Sequence, residues 1–155
     1  MTQRTVINSA AGAVLSISAS LPATYDAAGY GATTITWTVV GEVENLGNHG
    51  GTKVITEFTP IASATVAKVG GSKNYGTMSL MLGYIPGDAG QIILETAFEA
   101  TNTRYSVKVV YPDTSIHYLD VLVSKKENQD GAVTDVLRLA VDLAICRKPV
   151  IVAQV

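Results

Sequence analysis

The sequence predicts a mainly β protein, an antiparallel β-sandwich or barrel with one flanking α-helix. Apolar and polar residues alternate with a period of two in about six or seven segments, as in half-buried strands. Gly, Pro, Asn and Asp separate these segments, as expected for turns. Only residues 89–101 carry a clear apolar stripe at helical spacing. Many short strands with a single helix favour an antiparallel architecture over a parallel one.

The N-terminal residues 1–33 are rich in Ala, Ser and Gly and show no lasting periodicity. They end in the turn-like string YDAAGYGA, so we interpret them as an N-terminal arm or loosely attached segment. Their apolar stretch is short and interrupted by serines, which favours an arm over a signal peptide. The sequence therefore predicts a single folded domain over residues 34–155.

The first strands are predicted from alternation and glycine turns. Thr34–Glu44 has the period of a strand, and its inward positions are Ile35, Trp37, Val39 and Val43. After the turn NLGNHGG, Thr52–Phe58 is predicted as a second strand, and the two would form a hairpin. Residues 59–76 follow as an extended connection with a double glycine, and loops of this length are usually functional or disordered.

The helix has a complete set of start signals. It follows the predicted strand Thr77–Tyr84, whose inward residues are Met78, Leu80, Leu82 and Tyr84. Pro86 and Gly87 end that strand, and Asp88 can cap the free amides of a first helical turn. The helix is expected to run to about Thr101 with an apolar stripe of Ala89, Ile92, Ile93, Ala97 and Phe98.

The C-terminal third returns to strand patterns. Residues 104–111 alternate, with Tyr105, Val107, Val109 and Tyr111 inward. Ile116–Val123 is mostly apolar at both odd and even positions, which predicts a central strand covered on both faces. KKENQDG is expected as a polar hairpin tip. The last predicted strand, Val133–Cys146, sends inward Leu137, Leu139, Val141, Leu143 and Ile145, and outward Thr134, Arg138 and Asp142.

Composition limits the classes of function. Charged residues make up 15% of the chain, against about 25% in average soluble domains, and 47% of residues are apolar. So little charge predicts that other subunits cover part of the surface. The net charge of −2 and the lack of a basic run argue against binding of a phosphate backbone. No stretch approaches the about 18 consecutive apolar residues of a membrane span.

No constellation predicts catalysis, a metal site or a cofactor. His49 lies in a glycine turn, and His117 is three residues from Asp120, which places the two on opposite faces of a strand. The string GGSK lacks the ending of a phosphate-binding loop. We interpret the lone Cys146 as a small buried thiol. Other acids are scattered without calcium-loop spacing, namely Asp113, Asp130 and Asp135.

Four strings, in this order, resemble the major tail tube proteins of long-tailed bacteriophages. They are TVVGEVENLGNHGG, VGGSKNYGTMSLMLGY, IPGDAGQIILETAFEATNTRYSVKVVYPD and VTDVLRLAVDLAICRKPVIV, within residues 36–152. The resemblance implies a non-enzymatic virion protein whose hexameric rings stack into a hollow tube for genome delivery. It also implies other tail proteins at the tube ends, a tape measure in the lumen, and DNA that passes without specific binding. Its expected location is the virion tail, assembled in the host cytoplasm.

The resemblance also suggests which residues make the tube. Polar strand faces would line the lumen, with the candidates Glu42, Glu44, Arg138 and Asp142. The long connection would reach the next ring, with the candidates Ile61, Val66, Val69, Gly70, Gly71, Lys73 and Tyr75.

Two alternatives stay open on the sequence alone. A type VI secretion-like tube protein would share the predicted architecture. A carbohydrate- or receptor-binding β-sandwich module would normally expose aromatic side chains, whereas the sole tryptophan, Trp37, is predicted on the apolar face of its strand.

Overall fold

The computed structural model describes residues 7–153 and confirms a mainly β, antiparallel fold with one substantial helix. In chain order the elements are β1 Val14–Ser18, α1 Ala27–Tyr30, β2 Thr38–Val39, β3 Val43–Asn45, β4 Thr52–Phe58, β5 Ala67–Asn74, β6 Thr77–Gly83, α2 Ala89–Glu99, β7 Tyr105–Val110, β8 Ile116–Gln129, β9 Arg138–Ile145 and β10 Val150–Val152.

The main sheet is a half-barrel with antiparallel pairing and the strand order β2-β1-β7-β8-β9-β6-β3, with β10 added beside the start of β8. Its two edge strands, β2 and β3, are consecutive in the chain. The amide of Val40 donates to the carbonyl of Leu15 at 2.9 Å, and the amide of Gly83 donates to the carbonyl of Glu42 at 2.7 Å. The segment between β2 and β3 therefore crosses from one edge of the sheet to the other and holds the curvature. Strands β4 and β5 form a separate two-stranded sheet.

The hydrophobic core lies between the concave side of the half-barrel and α2. The inward residues predicted for β6 and β7 are buried or packed against the core, as are those of β9 from Leu139 onward. The Nζ atom of Lys126 on β8 lies 2.7 Å from Oε1 of Glu95, which ties α2 to the sheet beyond the core. The central strand β8 is covered on both faces over Tyr118–Val121, as predicted.

Helix α2 begins where its sequence signals place it, but its buried face differs from the predicted stripe. Asp88 caps the helix by accepting from the amide of Gln91. The buried residues are Gly90, Gln91, Leu94 and Ala97, whereas Ile92 and Phe98 are exposed. The reason is that β2 lies directly on the first turn. A Cβ at Gly90 would stand 2.5 Å from the carbonyl oxygen of Val39, so only glycine permits this approach.

The structure corrects the expectation that residues 1–33 form a loosely attached arm. Val14–Ser18 is strand β1, paired with β2 on one side and with β7 on the other, and its residues Leu15 and Ile17 are in the core. Ser16 and Ser18, which point to the opposite face from Leu15 and Ile17, are buried beneath residues 19–37. Both faces of β1 are therefore covered. The part of the predicted arm that precedes residue 7 lies outside the described residues.

The predicted strand Thr34–Glu44 is wrong as a single element. It is divided into β2 and β3 by a break at Glu42, whose φ of 56° lies in the left-handed region and interrupts strand geometry. Ile35 is buried, but within a bend before β2. The predicted alternation is not kept, since Val39 is exposed and its neighbour Val40 is buried in the core.

The predicted hairpin between residues 34–44 and 52–58 is also wrong, because β4 pairs with β5. Residues 59–76 are thus not one long connection, since they contain the whole of β5. The string AKVGGSKN shows no apolar alternation because neither of its faces packs on the core, and every residue of β4 and β5 is exposed.

Strands β8 and β9 meet at a later turn than predicted. KKENQDG is not a hairpin tip, since β8 continues to Gln129 and the loop occupies residues 130–137. The last strand begins at Arg138 and not at Val133, and Leu137 is exposed. Beyond Val123 the strand β8 leaves the core, so its polar residues follow a strand path without an apolar face.

Candidate functional site

The face of the sheet opposite α2 brings the four predicted lumen residues together. On paired strands β6 and β9, Gly83 is opposite Arg138 and Ser79 is opposite Asp142. Arg138 donates to Glu44 of β3, with Nε 2.6 Å from Oε2, and this hydrogen bond raises the pKa of Arg138. A Cβ at Gly83 would lie 3.3 Å from the Cβ of Glu42, so Glu42 borders the same end of this face.

This polar face, which we define as the exposed side of β3, β6, β9 and the second half of β8, is weakly acidic. Strand β8 adds an ion pair between Lys125 and Glu127 at 3.4 Å, and Lys125 is opposite Asp142 in the β8–β9 register. Four acids (Glu42, Glu44, Glu127 and Asp142) against two bases (Lys125 and Arg138) leave a formal charge of −2. Such a surface offers no run of cations that could hold a phosphate backbone.

The β4–β5 hairpin contains six of the seven residues predicted to contact a neighbouring ring. Its exposed apolar side chains are Val54, Ile55, Phe58, Ile61, Val66 and Val69. The seventh predicted residue, Tyr75, lies at the root of the hairpin and packs against the core. A lone two-stranded hairpin is marginally stable in water, and several exposed apolar side chains on one hairpin indicate a binding surface.

A histidine pair at the root of the hairpin was missed by sequence reasoning. Nε2 of His49 lies 2.7 Å from Nδ1 of His117, and the ring of Tyr111 packs on His117 with centroids 4.8 Å apart. Burial lowers the pKa of both histidines. The charge of His49 lowers the pKa of His117 further, and the carboxylate of Asp113 partly opposes this shift. The two residues are 68 positions apart, so no local motif connects them.

The other half of the face opposite α2 is closed by residues 19–37 over a buried carboxylate. Asp120 accepts from Arg104 Nη1 at 2.8 Å and pairs with Arg147 Nε at 3.2 Å. The guanidinium carbon of Arg147 lies 3.9 Å from the ring centroid of Tyr25, which ties the covering segment to this cluster. Burial raises the pKa of Asp120, and the two arginines oppose that shift. This cluster holds residues 19–37 against the sheet. On the face opposite α2, only the polar face formed by β3, β6, β9 and the second half of β8 therefore stays exposed.

The aromatic and thiol predictions need two corrections. Trp37 is not on the apolar face of a long strand; it is half-buried before β2, against Tyr118 and with Lys108 Nζ 5.0 Å from its ring centroid. Cys146 is exposed and not a buried thiol; it directly follows β9, and its amide still donates to the carbonyl of Asp120 on β8 at 2.8 Å.

The described residues, 7–153, lack the features of a metal site and of a membrane-spanning helix. Among them no three His, Cys, Asp or Glu side chains are grouped as a metal site requires. In the same part of the chain, no helix has the length and apolar content to cross a membrane.

The sequence matches no protein-family model and no curated protein. Solved structures do match. A chain of the anti-feeding prophage baseplate has a TM-score of 0.71 and 10% identity, covering 99% of this chain and 98% of its own. A chain of the PVC extracellular contractile injection system, from its sheath/tube terminator, has a TM-score of 0.66 and 9% identity over 96% and 98% of the two chains.

A chain of the SPP1 tail tube has a TM-score of 0.61 and 13% identity, over 92% of this chain and 77% of its own. Identities this low bear on the fold alone. In all three cases the structural match covers more than nine-tenths of this chain. The chain has a tail-tube-like fold.

Proposed function

We propose that the protein is a structural subunit of a tail-like tube, built from rings of identical subunits stacked on one another. The observation that carries the proposal is the near full-length match to chains of the SPP1 tail tube and of contractile injection systems. The anti-feeding prophage baseplate and the tail of the gene transfer agent were solved with six-fold symmetry, which supports a hexameric ring here. The proposed role is architectural and needs neither a cofactor nor a catalytic residue.

In this proposal the polar face lines the lumen and α2 lies on the outer side of the ring. The arrangement is supported by Glu42, Glu44, Arg138 and Asp142, which share one exposed face opposite the helix. A weakly acidic wall repels nucleic acid at short range and offers it no fixed binding site. DNA or another cargo would therefore slide along it.

The hairpin is the proposed contact between rings. Its exposed residues Ile61 and Val66 in the loop and Val69 on β5 would be buried there. Gly70, Gly71 and Lys73 follow Val69 on the same strand and would belong to the same contact. Association would then supply the apolar burial that the hairpin lacks in the isolated chain. Tyr75 packs against the core of its own subunit at the root of the hairpin and would anchor the hairpin there.

Two particles suit this subunit. In a phage or gene transfer agent, the tube would be part of the virion tail, assembled in the host cytoplasm, with a tape measure in its lumen and other tail proteins at its ends. A contractile injection system is the second candidate, favoured by the high coverage of the two injection-system chains. Purified particles distinguish them, since a genome in an attached capsid supports the first and a contractile sheath without a capsid supports the second.

The test of the shared proposal is assembly of the purified protein. We expect negative-stain electron microscopy to show rings or hollow tubes without any added cofactor, and sedimentation to show hexamers or larger species. A monomer that persists at all concentrations and salt conditions would contradict the proposal.

A further inference from the structure

An apolar patch lies at the end of the half-barrel where β8 turns into β9. We define this end patch by its exposed side chains, Ile85, Val133, Val136 and Leu137. The two loops that form it are adjacent, since the amide of Tyr84 donates to the carbonyl of Leu137 at 2.9 Å. Val133 is fully exposed, so its isopropyl group makes no contact within the subunit. Clustered apolar groups on a surface indicate a contact with another molecule.

The end patch and the hairpin lie at opposite ends of the same strand. Strand β6 begins at Thr77, opposite Ala144, just after the hairpin root, and ends at Gly83, opposite Arg138, which is the first residue after the patch loop. Its seven residues separate the two features by about 20 Å at the usual rise of a strand. One subunit thus presents an apolar hairpin at one end and an apolar patch at the other.

The two features also have opposite charge. The hairpin carries three lysines (Lys53, Lys68 and Lys73) and one acid (Glu57), which gives +2. The loop of residues 130–137 carries Asp130 and Asp135 and no base, which gives −2. Complementary charge around an apolar contact selects the partner and fixes its orientation.

We propose that the end patch receives the hairpin of a second copy of this chain in the adjoining ring. The inference rests on the proposed tube and assigns the receiving surface for its inter-ring contact. Since donor and acceptor are different surfaces of the same chain, the contact is heterologous and repeats without closing, which is the symmetry that a stack of rings requires. The hairpin's apolar side chains cover the end patch, and its lysines lie near Asp130.

The first test compares two variants that place a lysine at an exposed apolar position. Val133→Lys puts a cation in the end patch, where it opposes both the apolar contact and the lysines of the hairpin. Ile92→Lys makes the same change on the exposed side of α2 and serves as the control. We expect Val133→Lys to form single rings with at least tenfold fewer stacked tubes, and Ile92→Lys to form tubes of normal length. Circular dichroism confirms that both variants fold.

The second test locates the contact directly. Tubes assembled from equal parts of unlabelled and ¹⁵N-labelled protein are treated with a carbodiimide, which joins adjacent carboxylate and amine groups through an amide bond. Mass spectrometry should then find mixed-isotope links between Asp130 and the hairpin lysines.

Three outcomes would overturn the inference. Long tubes from Val133→Lys would do so, as would mixed-isotope links that join the hairpin lysines to some other surface while Asp130 stays unlinked. Both leave the proposed tube intact. A wild-type protein that never assembles would overturn the tube and the contact together.

Discussion

At the scale of single residues, the His49–His117 pair makes the stability of the subunit depend on pH. Burial lowers the pKa of both rings below the ordinary value of 6.5. The unfolded chain therefore takes up protons before the folded chain does as the pH falls, and the free energy of unfolding decreases below about pH 6.5. We expect the melting temperature measured by calorimetry to fall between about pH 7.5 and about pH 5.5.

The matched variant for this prediction is His49→Gln with His117→Gln, which removes both titrating rings and keeps polar side chains. Its melting temperature should change little over the same interval. Asp120 cannot produce the effect, because its raised pKa makes the fold less stable as the pH rises and therefore acts with the opposite sign. An equal slope in wild type and variant would show that the titration lies elsewhere.

Single residues also show what a sequence can reveal. Asp88 was predicted as the helix cap from its place directly before the apolar stripe, and the amide it accepts from, that of Gln91, is only three residues away. The further role of Gln91 was not predictable. Its buried amide donates to the carbonyls of Gly41 and Gly83 and accepts from the amide of Ile85. Gly41 is fifty positions away, so only the folded chain shows that this residue joins α2 to the segment that closes the sheet.

At the scale of elements, the hairpin is expected to be dispensable for folding. Every residue of β4 and β5 is exposed, so replacing Thr52–Asn74 by a short Gly-Ser linker removes no core contact. A linker can span the gap, since a Cβ at Gly51 would lie 2.9 Å from the ring of Tyr75. We expect a cooperatively melting subunit, seen by circular dichroism, that forms no long tubes under the electron microscope.

The full-length protein, prepared in parallel, is the control for the shortened one. Long tubes from the shortened chain would show that the hairpin is not the inter-ring contact. A shortened chain that fails to fold would instead place the hairpin among the elements that stabilise the subunit.

Strands were predicted well where one face is exposed to solvent and the other is buried. Strand β6 satisfies that condition, and its inward residues were found correctly. Strand β7 is covered on both faces, but its second face keeps the polar residues Ser106 and Lys108, so its alternation was also found.

Strand β1 was missed although Leu15 and Ile17 alternate with Ser16 and Ser18, because five residues within a stretch rich in Ala, Ser and Gly make too short a pattern. Strand β5 was missed because both of its faces are exposed, so its sequence carries no buried apolar face. Periodicity identifies a strand only where a difference between the two faces lasts over several residues.

At the scale of the whole molecule, the order of strands in the half-barrel could not be derived from the sequence. The edge strands β2 and β3 lie far apart in the sheet but are separated by only Val40, Gly41 and Glu42 in the chain. Local pattern favoured one continuous strand there. In the structure, the curvature of the complete sheet brings the two edges together, so this segment forms two short strands, one at each edge.

The last prediction concerns the face that the assembled particle presents to its cargo. Replacing Glu42 and Glu44 by Lys changes the formal charge of the polar face from −2 to +2, since each replacement adds two units. Glu44 loses its exposed ion pair with Arg138, and because exposed ion pairs add little to stability, assembly should persist. Tubes assembled with short duplex DNA should then retain it through phosphate contacts and protect it from nuclease, whereas wild-type tubes should not. Glu99→Lys with Ile92→Lys and Thr96→Lys adds the same charge on the exposed side of α2 and keeps the Glu95–Lys126 ion pair, so any DNA bound there would be digested. Equal protection by both variants, or by neither, would remove the polar face from the lumen.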